Sequence, residues 1–215
     1  MDGTNKVIIG GYVVGMIQTN VYYLHLENCS ETILVDPADQ GEALVKALKE
    51  QGLQITEVLL THGHFDHIGG VKEVVDETGA KVYACELEEN LLQDPQLNLS
   101  ADYRSPKTVK PDVLLKDGEE ITLAGMTIRC IATPGHTEGS CCYYLKETGA
   151  EPILLAGDTL FEESVGRTDF PTGSMSQLVR SVRDKLFLLP DETYVYPGHS
   201  GATTIGHEKA YNTMI

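Results

Sequence analysis

The stretch THGHFDHIGG, residues 61–70, sets three histidines and an aspartate within six consecutive positions, directly after the apolar run Val58, Leu59 and Leu60. On a helix, His62 and His64 would point about 200° apart at ~100° per residue, too far to share one ion. On a loop leaving a strand they can converge. Gly63, Gly69 and Gly70 are expected to supply the backbone freedom for such a loop and for entry into the next helix. Four ligand-type groups packed together without a cation would leave charge and ring nitrogens unpaired. Imidazole suits zinc, iron and manganese, and a carboxylate can bridge two ions, so the mixed cluster points to a two-metal site.

The same order of short apolar run, turn and ligand-type residue recurs along the chain. Residues 55–60 lead into His62, and residues 126–132 lead through Pro134 and Gly135 into His136. Residues 152–156 lead through Gly157 into Asp158, and residues 194–196 through Pro197 and Gly198 into His199. Each run is strand-length and bounded by turn residues. If the strands emerge toward one edge, their ends converge. Consecutive antiparallel strands are expected over 6–14, 21–26 and 32–36. Helical spacing marks Leu44, Ala47 and Leu48, closing at Gly52, and Val71, Val74 and Val75, closing at Gly79. A longer helix is expected through Met175, Leu178, Val179, Val182 and Leu186, with Ser174 and Gln177 placed as a capping box. Strands with covering helices predict an α/β (α+β layered) fold. Residues 91–110 carry little periodicity and read as a loop or irregular insertion near the site.

At 215 residues and 41% hydrophobic content, one domain spanning residues 1–215 is expected. Thirty-two acidic against 16 basic residues leave a formal charge of -16, which repels phosphate backbones and anionic membrane surfaces and argues against nucleic acid or membrane as partner. The five cysteines form no CxxC pair and sit mostly in apolar runs, as reduced core thiols do. The start of the chain shows no small-residue cleavage site, and no run reaches membrane-spanning length. A cytoplasmic location is the expectation. His25 and His207, each standing alone, read as ordinary hydrogen-bonded residues.

Four ordered motifs, THGHFDH (61–67), TPGHTEGS (133–140), LLAGDTLF (154–161) and YPGHS (196–200), resemble the metallo-β-lactamase superfamily, and within it the short glyoxalase II-like hydrolases. The resemblance covers roughly residues 7–200. It implies an αββα sandwich with the metals at the edge between two mixed sheets. It also implies that His62, His64 and His136 hold one divalent ion, that Asp66, His67 and His199 hold the other, and that Asp158 bridges them. Zinc is the expected metal, iron and manganese being accommodated by the same donors. Other branches fit less well: the commonest zinc β-lactamases carry a cysteine at the position of Asp158, and flavodiiron proteins a glutamate at that of His64. The basic exosite of transfer-RNA processing nucleases has no counterpart in so acidic a chain.

The resemblance implies a binuclear hydrolase that cleaves a small-molecule thioester of the hydroxyacylglutathione type with a metal-bound hydroxide. Asp66 and Asp158 are the candidate catalytic carboxylates, Asp66 orienting the water or accepting its proton. Asp36, Thr137 and Ser140 stand either as partners that fix the imidazoles or as backbone caps. In FEESVGRTDFPTGS (161–174), Arg167 is a candidate substrate-binding residue that could instead pair with Asp169 or Glu163. GRTDF resembles the short-form hydrolases but is shared with persulfide dioxygenases. The alternative is therefore a mononuclear iron dioxygenase using His62, His136 and Asp158. Long-form glyoxalase II enzymes carry a helical glutathione-binding domain after the last metal histidine. Only 16 residues follow His199 here, so that domain is expected to be absent and discrimination among small thioesters to be weak. Tyr103, Arg104, Lys107 and Lys110 in the 91–110 segment are the local groups that could compensate.

Overall fold

The computed structural model describes residues 6–215. Residues 1–5, the start of the stretch read against a cleavable leader, lie outside it. Two six-stranded mixed sheets pack face to face. The first runs in sequence order: β1 (Val7–Val14), β2 (Thr19–Leu26), β3 (Glu31–Val35), β4 (Gln54–Leu59), β5 (Lys81–Cys85) and β6 (Val113–Leu115). β1, β2 and β3 pair antiparallel, as expected, and β3 to β6 pair parallel. The second sheet is built from β7 (Glu120–Leu123), β8 (Met126–Ala132), β9 (Cys141–Leu145) and β10 (Ile153–Gly157). A small hairpin, β11 (Leu160–Phe161) with β12 (Ser164–Val165), interrupts it. It is completed by β13 (Tyr194–Pro197), parallel to β10, and β14 (Thr203–Thr204) at the edge.

Parallel neighbours need crossovers, and the helices supply them. α1 (Gly41–Glu50) links β3 to β4; the single turn α2 (Phe65–Ile68) and α3 (Val71–Thr78) link β4 to β5. α4 (Glu89–Gln93) follows β5, α5 (Met175–Asp184) lies between the β11–β12 hairpin and β13, and α6 (Ile205–Tyr211) closes the chain. Because side chains alternate along a strand, each sheet buries both faces. Ile33, Val35 and Leu59 point between the sheets against Ile128, Tyr143 and Leu155. Their neighbours Leu34, Val58 and Leu60 point the other way, onto Leu44 and Leu48 of α1 and Val71 and Val74 of α3. Leu178 and Val182 of α5 and Ile205 of α6 cover Cys142, Leu154 and Val195 on the far side. The result is the αββα layering that the motifs implied.

Several local expectations are corrected. Ser174 stands at the N-cap of α5, but its hydroxyl makes no capping bond; its N–H is drawn to the Gly135 carbonyl at 2.7 Å, and backbone N–H groups of Gln177 and Leu178 bond to its own carbonyl. The helix ends at Asp184, and Leu186 lies in a separate turn of 3₁₀ helix. Residues 91–110 open inside α4, and the remainder is irregular but tied down: Asn98 accepts from the Phe65 N–H through its carbonyl and donates from its amide to the Lys107 carbonyl, both at 2.9 Å. All five cysteines are free thiols, four of them buried. No helix among the described residues is long and apolar enough to cross a membrane.

Leu24 on β2 is fully buried between the sheets, whereas Val13 on β1 is 64% exposed. Leu24→Ala is expected to cost about 2–5 kcal/mol in urea denaturation. Val13→Ala should stay within about 0.5 kcal/mol of the parent. Equal losses at the two positions would contradict the assignment of the inter-sheet core.

Candidate metal centre

β4 and β3 end side by side, and the first event beyond them is an arrest of the chain by a carboxylate. Asp36 accepts the Thr61 N–H at 2.8 Å and the Thr61 hydroxyl at 2.6 Å. With its proton committed to Asp36, the Thr61 oxygen is left to accept from His62 Nδ1, 3.2 Å away, which makes His62 Nε2 the bare nitrogen. His64 follows in extended conformation and caps α2, so that Asp66 and His67 sit on one helical turn. His67 Nδ1 donates to Asp36 at 2.9 Å, which turns Nε2 toward the cluster. The expected loop is thus a strand exit plus a turn of helix. Gly63, Gly69 and Gly70 serve close approach rather than freedom, since none has a positive φ. A Cβ on Gly63 would meet Leu91 at 2.7 Å, and one on Gly69 would meet the Ala38 carbonyl at 2.1 Å.

The second sheet brings the other half. His136 leaves β8 through a turn and donates from Nδ1 to the Arg167 carbonyl at 2.7 Å, so its Nε2 is bare as well. That nitrogen lies 2.9 Å from His64 Nδ1. Asp158 follows β10, and its two oxygens lie 3.4 Å from His67 Nε2, 3.6 Å from His136 Nε2 and 3.5 Å from His199 Nε2. His199 follows β13 and approaches Asp66 at 3.3 Å. The structure therefore brings all seven residues singled out by the motifs to one edge. Three groups of three hold donor atoms within 4.8 Å of one another: His62 with His64 and His136, Asp66 with His67 and His199, and Asp36 with His62 and His67.

The donor set fits a cation pair on its own chemistry. Five buried side-chain polar atoms lack a hydrogen-bond partner among the described residues, and four belong here: His62 Nε2, His64 Nε2, His67 Nε2 and Asp158 Oδ1. Buried polar atoms are rarely left so. Burial pushes the protonation of His62 well down, and that of His64 to about 3, with the neighbouring imidazoles adding to the effect. Burial also lowers His136, partly opposed by Asp158. At His67 burial is outweighed by Asp158 and Asp66, which hold the ring protonated well above its usual range; His199 is raised similarly, by its hydrogen bond to Asp66 and by Asp158. Burial would raise both carboxylates, yet the surrounding histidines pull Asp66 and Asp158 below the ordinary range. The cluster thus offers neutral nitrogens on one side and anionic oxygens on the other.

Of the proposed supporting residues, Asp36 holds an imidazole, whereas Thr137 and Ser140 bond to each other at 2.7 Å and shape the turn after His136. Glu88 escaped the sequence reading. It is 1% exposed, accepts from Gly63 N–H at 2.8 Å and from the Thr137 hydroxyl at 2.9 and 3.0 Å, and so ties the His62–His64 segment to the His136 turn. An acidic residue in a run of glutamates, EENLL following CEL, gives no signal of burial. Arg167 is paired with Asp169 through two contacts of 2.7 Å and stacks over Phe170, its guanidinium 3.9 Å from the ring centroid; its backbone carbonyl, not its charge, reaches His136. His207 sits at the surface beside Glu163, and His25 bonds to the Leu26 carbonyl, as ordinary histidines do. Leu99 and Tyr103 of the 91–110 segment line the cleft over the donors, Lys107 lines the adjoining hollow, and Lys110 faces a different one.

Comparison with known proteins identifies the family to which this fold belongs. The family model of the metallo-β-lactamase superfamily matches residues 14–199. The crystal structure of BLEG-1 B3 metallo-β-lactamase superposes with a TM-score of 0.89 at 39% identity, covering 96% of this chain and 98% of that one. The crystal structure of TTHA1623 in a di-iron-bound form gives 0.81 at 33% identity, covering 96% and 100%. The hydroxyacylglutathione hydrolase GloC of Haemophilus influenzae is 30% identical over 88% of this chain and 92% of its own.

Two variants test the construction. A Cβ on Gly198 would lie 2.3 Å from Asp158 Oδ1 and 2.6 Å from His67 Cε1, so Gly198→Ala is expected to displace the central carboxylate and lower metal content by elemental analysis in a protein that still folds. Full occupancy would show that this contact does not matter. Burial lifts Glu88 from its ordinary 4.5 to about 7, against the opposing hydrogen bonds from Gly63 and Thr137. The folded state then binds more protons than the unfolded state between those values, so this carboxyl's contribution to stability is present below pH 4.5 and falls as pH rises toward 7. Metal-free Glu88→Gln should lack that decline when its unfolding free energy is compared with the parent across the same window. Parallel pH profiles would remove the assignment.

Proposed function

The chain belongs to the metallo-β-lactamase superfamily, and from that premise we propose that it is a two-metal hydrolase of small acyl thioesters. The observation that carries the reading is the place of Asp158, whose carboxylate reaches histidines of two donor groups at once. In this reading His62, His64 and His136 hold one ion, Asp66, His67 and His199 the other, and Asp158 joins them. When bound, the ions supply an acidified water as nucleophile and polarise the acyl carbonyl.

The chain's own residues do the rest. Asp36, Thr61 and the Arg167 carbonyl fix which nitrogen each of three imidazoles presents. In this reading Asp66, whose carboxylate lies 3.3 Å from His199 Nε2, orients the water and accepts its proton. The water oxygen bonds to the acyl carbon, the carbon–sulfur bond breaks with its electron pair going to sulfur, and the proton left on the acid passes to the departed thiolate, giving carboxylate and thiol. A thiolate departs with little protonation, which suits a cluster whose ionisable groups are engaged with one another. The similarity to GloC supports a thioester, and the di-iron form of TTHA1623 supports a pair of ions while leaving zinc, iron and manganese as candidates.

Protein purified without chelator should contain close to two metal ions per chain and hydrolyse thioesters without oxygen uptake. Asp158→Ala should lower both metal occupancy and turnover, the latter by at least about a hundredfold, as befits the loss of several kcal/mol of charge stabilisation. One iron per chain with persulfide-dependent oxygen consumption would replace the hydrolase by the mononuclear reading through His62, His136 and Asp158.

A further inference from the structure

The cleft over the donors has a lining that the metal chemistry does not require. It encloses about 420 Å³, and apart from the donors its walls are largely Ile17, Phe65, Leu99, Tyr103, Phe161 and Phe170. Aromatic faces stand at both ends of the cluster. The rings of Phe65 and Tyr103 stack at 3.9 Å between centroids, Phe170 meets His64 edge-on at 5.5 Å, and Phe161 meets His199 edge-on at 6.3 Å. Tyr103 is 49% exposed, so the stack presents open aromatic surface to whatever enters. Arg167 is the single lysine or arginine among the lining residues, and its charge is already paired with Asp169 through the Nε–Nη2 edge of the guanidinium. In the hollow beyond the Phe65–Tyr103 stack, the Lys107 ammonium is spent on the Gly69 carbonyl at 2.5 Å.

Such walls reward an apolar group and offer little to a small hydroxylated one, whose hydroxyl would lose water without gaining a partner. They also offer little to the two carboxylates of a glutathionyl carrier. Resting on the thioester reading above, we propose that this site selects thioesters bearing an aryl or medium-length alkyl acyl group over those bearing a small hydroxyacyl group, with little discrimination between neutral and charged thiols. The acyl group lies against the aromatic wall while its carbonyl faces the donors. Burial of one side-chain-sized apolar group is worth a factor of roughly ten to a hundred in the specificity constant. It is expressed mainly in KM, because the walls hold ground state and transition state alike.

The test uses the metal-loaded enzyme with phenylacetyl and lactoyl thioesters, each on N-acetylcysteamine, which is neutral, and on glutathione. The phenylacetyl ester is expected to exceed the lactoyl ester by at least about tenfold in kcat/KM on the neutral carrier, with less than about threefold change between carriers. Tyr103→Ala should shrink the acyl preference by raising KM for the phenylacetyl ester. A readout free of turnover is calorimetric binding of N-ethylphenylacetamide against N-ethyllactamide to loaded and metal-free protein; the former should bind at least about tenfold more tightly, with a negative heat-capacity change. Equal or greater rates with lactoyl esters overturn the proposal. So does a glutathione preference above about tenfold that Arg167→Ala or Lys107→Ala abolishes. Failure to hydrolyse any thioester overturns the underlying reading instead, and the amide titrations then still decide whether the cleft prefers apolar ligands.

Discussion

Three imidazole nitrogens, from His67, His136 and His199, stand 3.4–3.6 Å from the oxygens of one carboxylate, Asp158, which is almost withdrawn from water. Neither partner is held there by the other. His67 is fixed from behind by Asp36 at the end of β3, and His136 by the Arg167 carbonyl beyond β12. Asp36 in turn is fixed by Thr61, the residue that ends β4's run. The central contact therefore joins strand ends from both sheets, and its distances depend on how the sheets pack. That packing is the inter-sheet core of Ile33, Val35 and Leu59 against Ile128, Tyr143 and Leu155. Tyr143 makes the link direct, since its buried hydroxyl donates to the Leu60 carbonyl at 2.9 Å, one residue before Thr61. A dense interior deforms little, so the donors inherit its rigidity.

The electrostatics divide the cluster into two unlike halves. His62, His64 and His136 are held neutral chiefly by burial, so they present lone pairs without needing to lose a proton first. His67 and His199 are drawn toward protonation by Asp66 and Asp158, so a cation arriving there must displace protons as it binds. One position is an all-nitrogen pocket; the other mixes nitrogen with anionic oxygen. The two would differ in softness and in the pH dependence of loading, although both are built from the same six-residue stretch and its strand-end partners.

Much of this was legible because metal ligation constrains sequence tightly. His62, His64, Asp66 and His67 announce themselves by density, and His136, Asp158 and His199 by recurrence after strand-length apolar runs. The αββα layering followed from the motifs, while the alternation of Leu34 with Ile33 and Val35 shows how each sheet buries two faces. What stayed hidden were contacts made by residue types with ordinary surface uses. Glu88 lies in an acidic run, and its burial depends on the turn after His136, 49 positions from the Thr137 it holds. Ser174 and Gln177 have capping-box spacing, but Ser174 is recruited by the Gly135 carbonyl, so tertiary contact overrides the local option. Gly63 and Gly69 read as flexible and prove to be places where Leu91 and the Ala38 carbonyl come too near for a Cβ. A glycine's letter does not distinguish those two uses.

The division between strand ends and loops also says where selectivity must reside. A formal charge of -16 spread over the protein repels anions at long range, but at physiological salt that field decays within about 8 Å, and two bound cations would oppose it at the site itself. Long-range steering is thus a weak discriminator. The donors are fixed by the sheets. Relatives named as a β-lactamase and as a hydroxyacylglutathione hydrolase share the architecture, so the donors alone do not choose among acyl compounds. The walls come from elsewhere: Ile17 from the β1–β2 turn, Leu99 and Tyr103 from the segment after α4, and Phe161, Arg167 and Phe170 from the stretch after Asp158. These lie in connections or in the small β11–β12 hairpin rather than in the two main sheets, and such segments can change without moving the core. In this chain they place aromatic rings beside the imidazoles and pair the one lining cation internally, so the short-range contacts of the loops, not the charge of the protein or the geometry of the donors, set what the site will hold.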